Sequence, residues 1–313
     1  MSGMRMKVIK DVSGLRGHRE SVVTVGSFDG VHLGHRRILG EVAMLAGGLS
    51  VAGVAVTFDP HPMAVLHREE APCLLTTPSE RVDLMRETGV SEVVVLRFTA
   101  RLAARPAEWF VRELLLGRLS MRRLVIGYDF RFGVSREGDA PYLERLGEKL
   151  GFGVDIVPPV NYLDHPVSST RVRTALVRGD VEAAASMLGR PYRFMGKVVR
   201  GRGIGRTLDF PTANLRMVEP EKALPANGVY AVRLDLTGVE AAGALYIGPR
   251  HTFGDGSDSI EVYLMGFKGN LYGRKMDVSL MGRIRGDAKF TGPAELQAAI
   301  RRDVARAKSL LST

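Results

Sequence analysis

The first half of the chain alternates two hydrophobic periods. SVVTVGSF (Ser21 to Phe28) and VAGVAVTF (Val51 to Phe58) are short, continuous, β-branched runs of the kind a strand buried on both faces carries. Between them HRRILGEVAMLA (His35 to Ala46) has apolar residues at helical spacing, and SERVDLMRETG (Ser79 to Gly89) opens on a cap-like Ser and closes on Gly. SEVVVLRF (Ser91 to Phe98), a helical stretch around Ala107 to Leu116, RRLVIG (Arg122 to Gly127) and VDIVPPV (Val154 to Val160) continue the pattern. Such alternation predicts an α/β domain, a parallel sheet with helices on both faces. From about Gly189 the segments become short, alternating and Gly-punctuated: RFMGKVVRG, GVYAVRLDL, AAGALYIG, SIEVYLMGF, MDVSLMG. That spacing predicts an antiparallel barrel or sandwich, followed by a helix over GPAELQAAIRRDVARAKSLL (Gly292 to Leu311). The helical DVEAAASMLG ends where the pattern changes, which sets the expected domains at 1–187 and 188–313.

Composition narrows the class. A chain of 313 residues, 45% hydrophobic and 25% charged, has the length of about two globular domains and is too apolar for disorder. No apolar run approaches the ~20 residues that a membrane-crossing helix needs. MSGMRMKVIK carries no apolar core or cleavage site, and a single Cys73 excludes a disulfide framework. A cytoplasmic protein with no membrane partner is expected. The net charge of +10 attracts anions of any kind, but the basic residues are spread along the chain without a run of five. Aromatics at 7% are not interleaved with Arg, so small anions fit better than a polymer and no nucleic-acid partner is expected. Nothing in the pattern sets an oligomeric state.

Candidate chemistry gathers at GSFDGVHLGHRRIL (Gly26 to Leu39), which follows a predicted strand and opens a helix. Ligands of an open α/β sheet bind at such a turn, and a helix N-terminus offers free N–H groups to phosphate. Gly26, Gly30 and Gly34 let the backbone approach closely. His32 and His35 stand three apart, so both rings can face one anion and donate to charge developing on a transferring phosphorus. A zinc pair would need a third and usually a fourth ligand, which no nearby Cys/His cluster supplies. Cys73, in APCLL, reads as inert packing. In the second half PTAN (Pro211 to Asn214) puts Thr212 and Asn214 on one face of an extended segment, a hydroxyl and an amide oxygen suited to Mg²⁺ bridging phosphates. GRGIGRT (Gly201 to Thr207) is a phosphate cradle or equally a plain hairpin. SSTR (Ser168 to Arg171) is a phosphate-binding run or equally an ordinary helix cap. Glu261 alone reads as a solvent-facing strand residue.

GSFDGVHLGH resembles the HxGH signature of the nucleotidyltransferase superfamily, in the form shared by bacterial FAD synthetases. TFDPHP (Thr57 to Pro62), LVIGYDFRFG (Leu124 to Gly133), VSSTRVRTALVRGDVEAAASMLGRPY (Val167 to Tyr192), GRTLDFPTANL (Gly205 to Leu215), LPANGVYAV (Leu224 to Val232) and EVYLMGFKGNLYG (Glu261 to Gly273) follow in that family's order. The resemblance therefore runs from about Val22 to Ala307, and the family is that of bifunctional riboflavin kinase/FMN adenylyltransferases. It implies a Rossmann-like nucleotidyltransferase domain followed by a riboflavin-kinase β-barrel with a C-terminal helix. The implied substrates are ATP, riboflavin and FMN, with Mg²⁺ as cofactor.

The resemblance also implies roles. His32 and His35 would hold phosphate during adenylyl transfer, with nucleotide contacts from Gly26, Phe28, Asp29, Gly30, Asp129, Ser168, Ser169, Thr170 and Arg171. Flavin contacts would come from Asp59, His61, Arg131 and Phe132, although Arg131 and Phe132 are equally readable as core. In the barrel Gly205, Thr212 and Asn214 would bind nucleotide, the last two also the metal. Glu261 would take the proton of the riboflavin 5′-hydroxyl, and Arg283 or Arg285 would neutralise phosphate charge. The chain departs from the family at Asp209 (usually Gly), Tyr246 (Asn), His251 (Pro), and Gly266 and Asn270 (two acids). Two readings follow: a bifunctional enzyme with altered kinase affinity, or a single-function FMN adenylyltransferase with an impaired flavin-binding C-terminal domain. A transferase for another phosphorylated alcohol does not usually carry the PTAN barrel, and a basic RNA-binding protein would show salt-dependent polynucleotide binding.

Overall fold

The structure is a computed structural model and describes residues 6–10, 12, 15, 17–201, 210–236, 238–249, 258–267 and 269–312. By packing, the chain divides into two compact units, Met1–Ser168 and Ser169–Thr313.

The strands of the first unit are β1 (Lys7–Ile9), β2 (Ser21–Val25), β3 (Ala52–Asp59), β4 (Glu92–Arg97), β5 (Met121–Gly127) and β6 (Gly153–Val157). They form one parallel sheet in the order β1-β4-β3-β2-β5-β6. Their continuous apolar runs serve two cores, because successive side chains point to opposite faces. Val22, Ala55, Val93 and Val125 face Leu39 and Val42 of α1 (Leu33–Leu49). After the short α2 (Pro62–Leu66), α3 (Pro78–Arg86) adds Leu84 and Met85 to that side. Val23, Val54, Val94 and Leu124 face the other way, onto Phe110, Val111 and Leu115. Those three lie in a broken crossover made of α4 (Ala100–Ala103), α5 (Ala107–Trp109), a π-helical stretch (Phe110–Leu116) and α6 (Gly117–Leu119). Leu143 and Leu146 of α7 (Ala140–Leu150) complete this side. A small hairpin, β7 (Asn161–Tyr162) with β8 (His165–Pro166), precedes the end of the unit. The sheet leaves β2 through β3 on one side and through β5 on the other. The carboxyl ends of β2 and β5 therefore flank the switch point where open sheets bind ligands.

The second unit opens with α8 (Ser169–Arg178) and α9 (Val181–Leu188). Six strands follow: β9 (Tyr192–Val199), β10 (Thr212–Met217), β11 (Gly228–Asp235), β12 (Glu240–Pro249), β13 (Asp258–Leu264) and β14 (Lys275–Gly286). They close into an antiparallel barrel ordered β10-β13-β12-β11-β14-β9, so the barrel and not the sandwich is realised. Val304 and Ala307 of α10 (Pro293–Leu311) pack on Ala231 and Ala244 of the wall. Arg285 fastens this helix with a fork onto the buried Asp303, Nε to Oδ1 at 3.0 Å and Nη2 to Oδ2 at 2.8 Å. Arg283 holds the end of α8, donating from Nη1 to the Arg178 carbonyl at 2.9 Å and from Nη2 to the Asn227 carbonyl at 3.2 Å. Both arginines read as phosphate neutralisers are thus engaged in holding the fold.

The division at Ser168/Ser169 differs from the expected one at 187/188. The reason is that α9 lies against β9 and β14 and α8 is held by Arg283, so both helices travel with the barrel. Two further elements differ from the sequence reading: β1, three residues on the sheet edge, and the π-helical break in the crossover.

Candidate active sites

The turn after β2 sits at the switch point and is bent hard. Phe28 (φ 49°), Gly30 (φ 83°) and Val31 (φ 39°) all lie in the left-handed region, which a β-branched residue such as Val31 rarely enters. Asp29 supplies the restraint. Fully buried, its carboxylate accepts the Leu75 N–H at 3.0 Å, the Thr76 N–H at 2.9 Å and the Thr76 hydroxyl at 3.0 Å. Gly30 N–H returns a bond to Thr76 Oγ1 at 2.9 Å. Asp29 is therefore a strap between the turn and the start of α3. Phe28 is core, its ring edge-on to His35 at 5.2 Å. Gly26 is fixed by its N–H to the Val56 carbonyl, 3.0 Å away.

The two histidines are brought together. Their rings stack with centroids 3.6 Å apart and planes 17° from parallel. His32 is the N-cap of α1: its Nδ1 accepts the His35 N–H at 3.3 Å, which leaves the ring proton on Nε2, the nitrogen free of that bond. A Cβ on Gly34 would lie 3.2 Å from His32 Cε1 and 3.8 Å from the Val167 carbonyl oxygen. The glycine of the HLGH run thus makes room for its own histidine. His35 Nδ1 is sealed from solvent and has no hydrogen-bond partner. Burial first, then His32 and Arg81, hold this ring well below the ordinary imidazole range, so it is uncharged near neutrality.

A stability prediction follows from that ring. The unfolded chain takes up a proton at His35 as pH falls through about 6.5, while the folded chain does not. The unfolded state then binds more protons, so the fold loses stability as pH falls below that value and keeps it above. Thermal melts at pH 7.5 and 5.5 should show a larger drop for the wild type than for His35→Gln.

Around this pair, Asp129 is exposed just beyond the end of β5, on the other side of the switch point. Asp59 ends β3 and is exposed; the half-buried His61 caps α2, its Nδ1 accepting the Met63 N–H at 3.2 Å. Arg131 is exposed. Phe132 is half-buried and packs against Phe110 (5.6 Å) and Phe130 (5.3 Å) at the margin of the core. Ser168 closes the first unit; Ser169, Thr170 and Arg171 form the first turn of α8. One cation was missed in the sequence: Arg81 of α3, 1% exposed, donates from Nη1 to Thr57 Oγ1 (3.2 Å) and to the Phe58 carbonyl (3.1 Å). It lies within a helix-period segment, where an arginine looks like part of a polar face.

In the barrel, register does the assembling. Asn214 of β10, Glu261 of β13 and Tyr246 of β12 are direct cross-strand neighbours, so an amide, a carboxylate and a phenol lie in one row on one face. Thr212 and Ser259, each two residues away along its strand, share that face. Both orient the carboxylate: Thr212 Oγ1 donates to Glu261 Oε2 at 3.0 Å and Ser259 Oγ to Oε1 at 2.9 Å. Ser259 was not singled out in the sequence, although its place two before Glu261 was the available signal. Asn214 is 9% exposed and lies flat on the backbone of Gly201, where a Cβ would come within 2.2 Å of Nδ2. Tyr246 hydroxyl lies 2.7 Å from the Pro249 carbonyl and 2.9 Å from Asp287 Oδ1; burial and that carboxylate push its pKa up. Among the departures, Gly266 has φ 70° and Asn270 accepts the Tyr272 N–H at 3.0 Å, both in a turn. Gly205, Asp209 and His251 lie outside the described residues.

Whether these groups suit a metal follows from their donors. Among the described residues no group of three or more His, Cys, Asp or Glu is arranged to hold an ion. Thr212 and Asn214 offer neutral oxygens, and a Mg²⁺ that keeps waters and arrives with substrate phosphates needs few protein ligands. The residues fit such a shared ion.

Comparison with known proteins agrees with the geometry. The profile of the FAD synthetase family matches residues 15–171 and that of the riboflavin kinase family residues 188–311. A bifunctional riboflavin kinase/FMN adenylyltransferase of Pseudomonas fluorescens is 37% identical over 307 residues, covering 97% of this chain and 98% of its own. The protein of the same name in Escherichia coli (strain K12) is 37% identical over 303 residues, 95% and 96% of the two chains. A solved structure described as a macrolide-efflux protein from Streptococcus pneumoniae superposes with a TM-score of 0.85 at 30% identity, covering 95% of this chain and 97% of that one. Among the described residues no helix is long and apolar enough to cross a membrane.

Proposed function

The chain belongs to the family of bifunctional riboflavin kinase/FMN adenylyltransferases, and from that premise we propose how its own residues carry the two half-reactions. The barrel transfers the γ-phosphoryl group of ATP to the 5′-hydroxyl of riboflavin, giving FMN and ADP. The parallel-sheet unit joins FMN to the adenylyl group of a second ATP, giving FAD and pyrophosphate.

In the barrel Glu261 takes the proton of the attacking hydroxyl. The observation that carries this reading is the pair of hydroxyls on its carboxylate: Thr212 and Ser259 fix both oxygens in orientation, which a general base requires. Thr212 and Asn214 would hold Mg²⁺, which supplies neutralisation of phosphate charge when bound. Tyr246 stands beside Glu261 in the row with its hydroxyl turned to Pro249 and Asp287, so the departure there leaves the base and its supports intact. This supports the bifunctional reading over a barrel that only binds flavin. Gly201→Ala tests the placing of Asn214. Its Cβ would displace the amide, so KM for ATP in riboflavin phosphorylation should rise about 10-fold with little loss of FAD formation from FMN.

In the sheet unit no covalent intermediate is needed. FMN phosphate attacks the α-phosphorus of ATP directly, and the unit contributes position and charge stabilisation. His32, with its proton on Nε2, and His35 stacked on it donate to the phosphates at the switch point. Within this unit Asp129 and Ser168 would meet the nucleotide, and Asp59, His61 and Arg131 the flavin. Asp29 and Phe28 serve by holding the turn. The assignment is tested by supplying each substrate alone with ATP and Mg²⁺ and separating the flavins formed.

A further inference from the structure

Neither half-reaction as proposed uses Arg81, and its surroundings are unusual. A guanidinium is almost never fully buried unless it is paired. Arg81 is 1% exposed; its Nη1 donates to Thr57 Oγ1 and the Phe58 carbonyl, while its Nε is sealed from solvent with no partner. Burial works against its charge, and Asp29 and Asp59 support it. An aliphatic side chain would fill the same space without the desolvation penalty.

What Arg81 joins is the switch-point site. Thr57 passes the bond on, its hydroxyl donating to the Ser27 carbonyl at 3.1 Å, inside the turn that carries the histidines. Phe58 leads directly into the Asp59–His61 corner. The titratable and charged groups on the elements about the switch point are His32 on the same turn, Arg81 on α3, Asp29 after β2, Asp59 at the end of β3, Asp129 after β5, and Arg36 and Arg37 on α1. Of these, His32 and Arg81 are the ones that act on the ring. Arg36 is drawn off to Glu87 at 3.1 Å.

We propose that Arg81 is a positioning residue for adenylyl transfer: its buried guanidinium ties the Thr57–Phe58 end of β3 to the Ser27 turn and so holds the turn that carries His32 and His35 in place to meet phosphate. Two imidazolium rings stacked 3.6 Å apart beside a guanidinium would repel one another. Burial first, then His32 and the permanent cation of Arg81, keep His35 uncharged, which leaves the phosphate charge to be met by oriented donors. The proposal rests on the reading of His32 and His35 as the phosphate-holding pair.

The test uses the full-length protein with Arg81→Met, Arg81→Lys and His35→Gln, measuring FAD formation from FMN as a function of pH. Riboflavin phosphorylation in the same samples reports on the barrel, which belongs to the other unit, and a thermal melt reports on folding. Arg81→Met should lower kcat about 100-fold. It should also move the acid limb of the profile to higher pH, because His35 then protonates sooner. Arg81→Lys should keep the acid limb in place and lose about 10-fold, since one ammonium cannot reproduce the planar fork. An Arg81→Met variant that melts like the wild type, with kcat and acid limb unmoved, overturns the proposal. If that variant does not fold, Arg81→Lys decides: an unchanged kcat overturns the proposal, and a lowered kcat with an unmoved limb supports it. If His35→Gln keeps its FAD formation, the reading of the pair itself fails. If His35→Gln loses it while Arg81→Met behaves as wild type, only the Arg81 proposal fails.

Discussion

Glu261→Gln should lower FMN formation from riboflavin, ATP and Mg²⁺ about 1000-fold in turnover, within the range that a general base contributes. FAD formation from added FMN stays at the wild-type rate. Glutamine preserves size and one acceptor oxygen, so the barrel keeps its packing. What it removes is the capacity to accept a proton, and it also sets an NH2 group where Thr212 or Ser259 now donates. KM for riboflavin should change little, because Thr212, Asn214 and the barrel wall are untouched. Steady-state kinetics of the two half-reactions, measured separately, check both statements. A barrel that only binds flavin would show no FMN formation in the wild type and nothing for the substitution to remove.

The second large effect belongs to the other unit. His32→Asn and His35→Asn should each lower FAD formation from FMN about 100- to 1000-fold, with riboflavin phosphorylation unchanged. Asparagine is chosen at position 32 because it is itself a good N-cap, so α1 keeps its first turn while Nε2–H is lost. His32→Ala would remove cap and donor together and confuse the two. The double variant should be little worse than either single one, since two stacked rings acting on one phosphate work as a unit. A melting temperature near that of the wild type for His32→Asn, together with the lost activity, separates the chemical role from the structural one.

What could be read from the chain divides along lines of sequence distance. The HLGH run announced itself because its glycine, its two histidines and the helix start lie within a few residues, and the stacking of the rings is a local consequence. The strap by Asp29 could not be read that way. Its partners are Leu75 and Thr76, in an unremarkable stretch before α3, and only the sheet brings them beneath the turn. The supporting bonds of Asp29 were therefore not legible beside its reading as a nucleotide contact. Arg81 hid inside a helical period for the same reason.

The barrel shows the opposite case. Thr212 and Asn214 could be placed on one face from alternation alone, but their meeting with Glu261 depends on the β10–β13 register, which the strands set and the sequence does not display. Phe132 was legible as either core or flavin contact, and the structure has it half-buried beside Phe110 and Phe130, a position that suits both. The domain boundary was placed where the hydrophobic period changes. Packing draws it earlier, because Arg283 on the last strand reaches back to α8, a contact across more than 100 residues.

The measurement that bears most directly on the central claim is flavin chromatography of two incubations of the purified protein, one with riboflavin and one with FMN, each with ATP and Mg²⁺. Two working units predict FMN and then FAD from riboflavin, and FAD from FMN. FAD from FMN with riboflavin left unchanged would contradict the claim, and would leave the barrel as a flavin-binding appendage to an adenylyltransferase.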